Sequence, residues 1–240
     1  MAYPESILPM TARIKLNLQS RDGDRSCEAL VRDLVIAGWT GRDRTAVEKH
    51  IRELAELGVT PPSRTPIFYR VAASLLTTAA EVDVIGTDST GEVEFVLLNH
   101  EGGWWVGVGS DHTDRKAETV GVTLSKQMCP KPLAPNLWSF HEVEPHWDEL
   151  VLRSYAVSGK ERILYQEGQV MAMRHPRDLV GLYCDGAEMR FASGYAIFCG
   201  TLPVQNGIRW ADTFVIELED PVFKRKITHS YHCRALPIQG

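Results

Sequence analysis

Three carboxylates carry the clearest chemical signal in the sequence. Glu92 and Glu94 stand two residues apart in an apolar run, and Asp111 follows a second apolar and aromatic stretch. Residues i and i+2 of a β-strand point to the same face, so Glu92 and Glu94 should project together. Apolar neighbours on both faces favour burial, where adjacent like charges are costly unless a cation compensates. Oxygen ligands suit hard divalent ions, so the pattern predicts a metal site with Asp111 as third ligand.

An alternative interpretation places both glutamates on the solvent face of a sheet, where they need no ion. Further along the chain, Arg115 and Lys126 are candidates for binding an anionic substrate or for balancing charge beside a metal. For either residue considered alone, a solvated surface charge is the commoner interpretation. Thr201 follows an apolar segment and a glycine, and its hydroxyl is a candidate donor to an anionic oxygen.

A second candidate site lies on a segment with helical periodicity between residues 44 and 57. His50 and Glu53 are three residues apart there, so they share a helix face. A carboxylate that orients an imidazole forms a proton-transfer dyad. The same pair is also common on helix surfaces without any function, and the sequence leaves both interpretations open.

Composition limits the class of protein. The chain has 240 residues, of which 24% are charged and 44% hydrophobic, as in a soluble globular protein. A net charge of −5 without a dense basic run argues against nucleic acid as the main partner. The chain lacks the roughly 18 consecutive apolar residues that suggest a membrane span. Five cysteines without a CxxC pair, and no recognisable secretory leader, predict a cytoplasmic protein with free thiols.

The organisation of the chain predicts an α+β, mixed-β fold. Residues 1–60 form the predicted N-terminal α/β portion, which contains the candidate helix, and residues 61–240 form a mixed-β body. The body contains short β-branched or aromatic segments separated by turn residues. The predicted strands are 81–86, 92–98, 104–109, 150–156, 162–166, 195–200 and 213–218, and a short helix is predicted to start at 175–180.

Taken in order, these segments resemble the fumarylacetoacetate hydrolase family over about 34–207. Residues 35–39 and the His50-x-x-Glu53 pair are similar to its opening strand and lid helix. Glu92-Val93-Glu94 is similar to its Glu-x-Glu metal ligands, and residues 109–115 to its Asn-Asp-x-Ser-Ala-Arg loop. The family's Gly-Lys element is similar to residues 125–126, and its proline-rich stretch to residues 129–135. Its Gln-Asp-Gly-Asn element is similar to residues 166–169, and its Thr-Gly-Thr-Pro turn to residues 198–203. Serines replace the Asn before Asp111 and the Gly before Lys126, which indicates a divergent branch.

The resemblance implies a rolled-sheet or β-barrel catalytic body with a metal at one open end. The implied metal is Mg²⁺ or Mn²⁺, with Ca²⁺ possible, and its implied ligands are Glu92, Glu94 and Asp111. The implied catalytic residues are His50, Glu53 and Lys126. The implied substrate-binding residues are Arg115 and Thr201. Asp43 and Arg44 are alternatives if the register of the lid helix differs, and Asp43 or His112 would be the next candidates if the dyad assignment fails.

The implied activity is hydrolytic cleavage of a C–C bond in a 2-oxo acid or β-dicarbonyl compound through a metal-bound enolate. Decarboxylation, dehydration and isomerisation on the same site are alternatives, and so is a non-catalytic protein that binds a small molecule. The expected partners are a small anionic substrate and a second copy of the chain, with no nucleic acid or membrane. For the homodimer we expect the aromatic residues Trp138, Phe140 and Trp147 to offer surface that becomes buried.

Overall fold

A computed structural model describes residues 11–56, 61–186 and 191–239, without the side chains of residues 50 and 53–55. Its strands are β1 (Ala12–Gln19), β2 (Arg25–Val31), β3 (Asp33–Gly38), β4 (Ile67–Val71), β5 (Leu76–Thr77), β6 (Glu81–Ile85), β7 (Ser89–Thr90), β8 (Val93–His100), β9 (Gly103–Ser110), β10 (Thr113–Asp114), β11 (Lys131–Pro132), β12 (Asn136–Ser139), β13 (Val151–Ser158), β14 (Glu161–Gln169), β15 (Tyr195–Thr201), β16 (Thr213–Asp220) and β17 (Arg225–Leu236). Its α-helices are α1 (Arg44–Glu56), α2 (Arg115–Glu118), α3 (Val122–Met128), α4 (Phe140–Val143) and α5 (Pro176–Tyr183).

Two mixed sheets form the body of the molecule. An eight-stranded sheet has the order β2-β1-β12-β9-β8-β15-β3-β4, and a five-stranded sheet has the order β14-β13-β16-β17-β6. Most neighbouring strands are antiparallel, while β1 with β12, β15 with β3 and β17 with β6 are parallel. The larger sheet curls into a half-barrel with few helices around it. The predicted α+β, mixed-β fold is therefore confirmed, and each of the seven predicted strands is present with ends that differ by a few residues.

Strand β8 lies at the centre of the larger sheet and is buried on both faces. Val93, Phe95 and Leu97 pack into the core shared with the five-stranded sheet. Val96 and Leu98 pack into a second core on the opposite face. The alternation therefore follows the period of two that an extended backbone imposes. Any charged residue on this strand must lie in an environment from which water is largely excluded.

Strands from both predicted portions of the chain contribute to the same sheet. From the N-terminal portion, β3 pairs with β4 on one side and with β15 on the other. Likewise, β1 pairs with β12. Helix α1 lies in the predicted lid segment, between β3 and β4 in the chain. None of the helices in the described part of the chain is long and apolar enough to cross a membrane.

The aromatic residues that we assigned to a dimer surface lie in the core instead. Trp138, Phe140 and Trp147 are almost completely buried within one chain. Phe140 and Trp147 pack edge to face, with ring centroids 5.5 Å apart, which is a typical geometry for stabilising aromatic pairs. The assignment was wrong because an aromatic-rich segment has the same sequence pattern whether it packs against its own core or against a partner subunit. The homodimer itself stays a prediction.

Candidate metal centre

Three carboxylates meet at the end of the β8–β9 pair that lies away from its connecting turn. Glu92 immediately precedes β8, Glu94 is the second residue of β8, and Asp111 immediately follows β9. Antiparallel pairing sets Val93 opposite Ser110, and the Asp111 amide donates to the Glu92 carbonyl at 2.9 Å. One oxygen from each carboxylate lies within 4.8 Å of the other two. The structure thus brings the three predicted ligands together, and their role stays a prediction.

The carboxylate cluster is buried. Asp111 is 0% exposed and Glu94 is 2% exposed. The Glu92 side chain is 14% exposed, so it forms the rim of the cluster nearest to solvent. The alternative in which both glutamates lie on a solvent-facing sheet surface is therefore wrong. Buried carboxylates require compensation by cations or hydrogen bonds, and the neighbouring residues show how this chain supplies it.

Two lysines neutralise the cluster. Lys126, on α3, donates to Asp111 Oδ2, and its Nζ lies 3.4 Å from Glu92 Oε2. Lys131, on β11, is fully buried, and its Nζ lies 2.9 Å from Asp111 Oδ1. Lys131 also donates to the His112 carbonyl at 2.7 Å. Asp111 thus has one ammonium group against each of its oxygens.

Arg115 holds the outer glutamate in place. Its Nη2 lies 3.0 Å from Glu92 Oε1, and its Nη1 lies 3.0 Å from Glu118 Oε2. Its Nε donates to Thr90 Oγ1 at 2.8 Å. Because all three nitrogens have protein partners, the guanidinium is fixed rather than free. This arrangement favours a role in positioning Glu92, whereas the predicted role in binding substrate stays untested.

The charges around the cluster shift the pKa values of two carboxyls downward. Burial by itself raises the pKa of Glu92, but the charges of Arg115 and Lys126 outweigh it and hold the value below the usual range. Burial also raises the pKa of Asp111, but the charges of Lys126 and Lys131 outweigh this effect and hold the pKa of Asp111 below its usual value. Burial disfavours the charged form of Lys126, yet the charges of Asp111 and Glu92 raise its pKa above normal. These groups are therefore held as ion pairs.

Glu94 differs from its two neighbours. Burial raises its pKa well above the usual value, and the charge of Asp111 raises it further. Among the described residues Glu94 takes part in no ion pair, and its Oε2 accepts a hydrogen bond from the Gly200 amide at 2.7 Å. Glu94 is thus the carboxylate of the cluster that lacks a cationic partner.

Strand β15 ends in a turn that presents the Gly200 amide. The φ angle of Gly200 is +102°, in the region that favours glycine, and the pairing of β15 with β8 is irregular there. A Cβ at this position would lie 1.7 Å from Thr40 Oγ1, so only glycine fits. The following residue, Thr201, donates its hydroxyl to the Val93 carbonyl at 2.9 Å. That hydroxyl is therefore engaged within the protein, and its predicted contact with substrate stays untested.

Gln166 connects the five-stranded sheet to the site. It is fully buried on β14, and its Oε1 accepts a hydrogen bond from the Val93 amide at 3.0 Å. Its Nε2 donates to Thr201 Oγ1 at 2.8 Å and to the Leu202 carbonyl at 2.6 Å. One amide side chain therefore holds the start of β8 and the end of β15, the two segments that present Glu94 and Gly200.

A buried chain of hydroxyl and imidazole groups lies behind the carboxylates. His112 Nε2 is 2.9 Å from Ser89 Oγ, and its Nδ1 is 3.1 Å from the Tyr231 hydroxyl. Tyr231 donates to Ser110 Oγ at 2.8 Å, and the same oxygen accepts a hydrogen bond from the Glu92 amide at 3.1 Å. Burial lowers the pKa of His112 to about 3, so its ring is neutral. These contacts fix the backbone of Glu92, and His112 lies within them rather than in an open site.

The predicted dyad lies outside the described residues. The backbone of His50 and Glu53 belongs to α1, but their side chains are not described. Their role as general base and orienting carboxylate therefore stays a prediction.

Sequence reasoning assigned no role in the site to Lys131, Gln166, Gly200 or Tyr231, although the first three lie in segments that carry the family resemblance. The available signal for Lys131 was a lone lysine between two prolines in an otherwise apolar stretch. For Gly200 the signal was a glycine at the end of a buried strand, a position that allows positive φ. Gln166 and Tyr231 reach the cluster from the second sheet, and local patterning does not reveal that contact.

The donor set fits a hard divalent ion. All three candidate ligands are carboxylate oxygens, the ligand type that Mg²⁺, Mn²⁺ and Ca²⁺ prefer. Glu94 is buried and, within the described residues, has no cationic partner. Its carboxylate therefore has coordination capacity left, so Glu92, Glu94 and Asp111 could hold such an ion.

A separate surface cavity of about 600 Å³ lies at the opposite end of the β8–β9 hairpin. Trp104, Trp105, Phe140 and Arg177 are among its lining residues. It is remote from the carboxylate cluster because its lining includes Gly102, in the hairpin turn, and Gly103, the first residue of β9. Arg177 is already paired with Glu144. Its size alone does not make this cavity the functional site, because it contains none of the clustered carboxylates.

Solved structures of low sequence identity share the fold. 2-Keto-3-deoxy-D-arabinonate dehydratase, complexed with magnesium and 2,5-dioxopentanoate, is 16% identical with a TM-score of 0.56, covering 92% of this chain and 79% of that chain. 5-Carboxymethyl-2-hydroxymuconate delta-isomerase from Mycobacterium smegmatis is 13% identical with a TM-score of 0.56, covering 92% and 83%. 4-Oxalocrotonate decarboxylase from Pseudomonas putida G7, complexed with calcium and acetate, is 15% identical with a TM-score of 0.53, covering 84% and 76%.

The chain therefore has the curled mixed-β fold of these neighbours, a fold like the one that the resemblance to the fumarylacetoacetate hydrolase family implies. The chain itself belongs to the family described as "Protein of unknown function (DUF2848)", whose model matches residues 37–231. No curated protein matches the chain significantly in sequence.

Proposed function

We propose that this protein is a divalent-metal-dependent enzyme of the fumarylacetoacetate hydrolase type. Its proposed reaction is hydrolytic cleavage of a C–C bond in a 2-oxo acid or β-dicarbonyl compound. The observation that carries the proposal is the buried cluster of Glu92, Glu94 and Asp111. A protein that only needs a stable fold gains little from burying three carboxylates side by side, since apolar side chains of similar volume are often at least as stabilising.

The proposed metal is Mg²⁺ or Mn²⁺, and Ca²⁺ is an alternative. The all-carboxylate donor set supports this choice, as do the magnesium and calcium named in the complexes of two structural neighbours. Bound there, the ion would polarise a carbonyl group and stabilise negative charge as it develops on oxygen.

The residues around the cluster have distinct proposed roles. Lys126 presents an ammonium at the more exposed side of the cluster, where it can bind an anionic group of the substrate. Arg115 keeps Glu92 in a single orientation through its three contacts. His50 and Glu53, on the helix α1, are the proposed base and its orienting partner, which would activate the attacking water.

A second candidate function is decarboxylation, dehydration or isomerisation of a 2-oxo acid at the same site. The three structural neighbours favour it, because their names describe a dehydratase, an isomerase and a decarboxylase. All of these reactions, like the hydrolysis, depend on stabilising charge on the oxygen of a carbonyl group beside the reacting carbon. They can therefore share one set of residues and differ in how protons move.

Deuterium exchange tests the feature that these reactions have in common. Purified protein is incubated in D₂O with a panel of acylpyruvates, oxaloacetate and sugar-derived 2-oxo acids, with Mg²⁺ or Mn²⁺ and separately with EDTA. Proton NMR then records both exchange at the carbon next to the 2-oxo group and any new product. For at least one compound we expect deuterium exchange that depends on metal and that the Glu94→Gln variant does not catalyse. The product that appears in the spectrum identifies the reaction type.

The matched control for this experiment is Glu101→Gln, which removes an exposed carboxylate at the β8–β9 turn and should leave exchange unchanged. Metal-independent exchange that persists in Glu94→Gln would contradict the proposed role of the cluster. Binding of panel compounds without exchange or product would instead indicate a non-catalytic protein that binds a small molecule.

A further inference from the structure

Two lysines contact the same buried carboxylate but are held very differently. Lys126 reaches Asp111 from a short helix, and 9% of its side chain is exposed. Lys131 is 0% exposed and reaches the other oxygen of Asp111 at 2.9 Å. Lys131 is also tied to the backbone, because its Nζ donates to the His112 carbonyl at 2.7 Å.

The Lys126 ammonium contacts carboxylates that a metal ion at this cluster would also bind. It touches two of the three clustered carboxylates, Asp111 and Glu92. An ion that takes one oxygen from each member of the cluster must bind those same two carboxylates. An ammonium and a divalent cation so close together repel strongly in a site that excludes water. Both cannot keep these positions at once.

We propose that Lys126 is an exchangeable counter-ion of the cluster and Lys131 a fixed one. When a divalent ion binds, the Lys126 ammonium leaves Asp111 and Glu92, while Lys131 keeps its contacts with Asp111 and His112. Lys126 can move because its flexible stem lies at the exposed side of the cluster. Lys131 cannot follow, since it is enclosed and bound to a backbone carbonyl. This inference rests on the proposed metal site.

The exchange sets an order of binding. In the metal-free protein the Lys126 ammonium is occupied by carboxylates of the protein itself. After the exchange it stands beside the metal without those partners, where it can bind an anionic group of a ligand. Lys131 meanwhile keeps Asp111 paired, so that carboxylate retains its orientation as a ligand. Metal binding therefore precedes tight binding of an anionic substrate.

Amine acetylation tests the exchange in the unmodified protein. The full chain is treated with an acetate N-hydroxysuccinimide ester after EDTA treatment, with and without saturating Mn²⁺ or Mg²⁺, and each lysine is quantified by peptide mass spectrometry. We expect the acetylation rate of Lys126 to rise several-fold with metal. Lys131 should stay unmodified in both states, and the exposed Lys116 should be modified equally in both.

The variant Lys126→Met gives an independent measurement, because it removes the competing cation. Calorimetric titration should show that it binds Mn²⁺ at least tenfold more tightly than the unsubstituted protein, while Lys116→Met binds with unchanged affinity. Unchanged acetylation of Lys126 in a protein that binds metal, modification of Lys131 instead, or weaker Mn²⁺ binding by Lys126→Met would overturn this inference alone. A failure of the unsubstituted protein to bind metal would overturn the proposed function as well.

Discussion

The three clustered carboxylates are chemically alike, and their neighbours make them different. Glu92 is paired with Arg115 and Lys126, whereas Glu94, two residues later, has a backbone amide as its partner. Burial consequently raises the pKa of Glu94, while the cations lower that of Glu92. Glu94 is thus the residue that gains most from a divalent ion and the best single probe of the site.

The first prediction concerns the glycine that supports Glu94. Gly200→Ala places a Cβ at positive φ and 1.7 Å from Thr40 Oγ1, so the turn must move. The movement should displace the amide that donates to Glu94. We expect a loss of about 1–3 kcal/mol in the free energy of unfolding, as measured by urea denaturation. Calorimetry should also show weaker binding of Mn²⁺.

The matched control is Gly159→Ala. Gly159 also has a positive φ, of +59°, but no atom lies within 4 Å of the added Cβ. This variant should show a smaller loss of stability and normal Mn²⁺ binding. Equal effects of the two substitutions on Mn²⁺ binding would refute the claim that the Gly200 amide positions Glu94.

At the scale of elements, the site depends on two strands of one sheet and on support from the other sheet. The β8–β9 pairing sets the spacing of the carboxylates, and the end of β15 supplies Gly200. The five-stranded sheet contributes Gln166 and Tyr231. A substitution on the five-stranded sheet should therefore alter the candidate metal site, although that sheet contributes none of the three carboxylates.

The second prediction is that Gln166→Leu disturbs the site through this junction. The substitution keeps an apolar side chain of similar length but leaves the Val93 amide and the Leu202 carbonyl without their partner. A buried unpaired polar group costs about 1–3 kcal/mol, so urea denaturation should show a loss of at least that size. Mn²⁺ affinity should fall together with stability. Gln169→Leu, at an exposed position on the same strand, is the control and should match the unsubstituted protein in both measurements.

At the scale of the whole molecule, local sequence patterns predicted individual strands and candidate ligands better than they predicted which distant segments pack together. The period of two placed Glu92 and Glu94 together correctly, and short β-branched runs located the strands. Contacts between segments more than a hundred residues apart, such as Ser110 with Tyr231, leave no local signal. The same limit explains why Trp138 looked like a surface residue although it packs in the core.

The third prediction uses the thiols as reporters of global packing. Burial raises the pKa of Cys129 to about 11 and that of Cys233 to about 12. Because the thiolate is the reactive form, roughly a thousandth or less of these thiols is reactive at pH 8. Iodoacetamide should therefore modify the partly exposed Cys27 first. The other two should react only as the pH approaches their raised pKa values.

Peptide mass spectrometry measures each of these thiols separately, and modification in denaturant provides the reference for full reactivity. If Cys129 and Cys233 reacted as fast as Cys27 in the native protein at pH 8, the packing around them would be looser than described.

The central claim is that Glu92, Glu94 and Asp111 hold one divalent ion, and calorimetric titration of metal into EDTA-treated protein tests it most directly. We predict one Mg²⁺ or Mn²⁺ site per chain, a melting temperature that rises with metal because the ion binds the native state, and reversal by EDTA. Glu94→Gln should lose both effects, while Glu101→Gln, at an exposed position, should keep them. Titration without binding heat and a melting temperature indifferent to both metal and EDTA would contradict the claim.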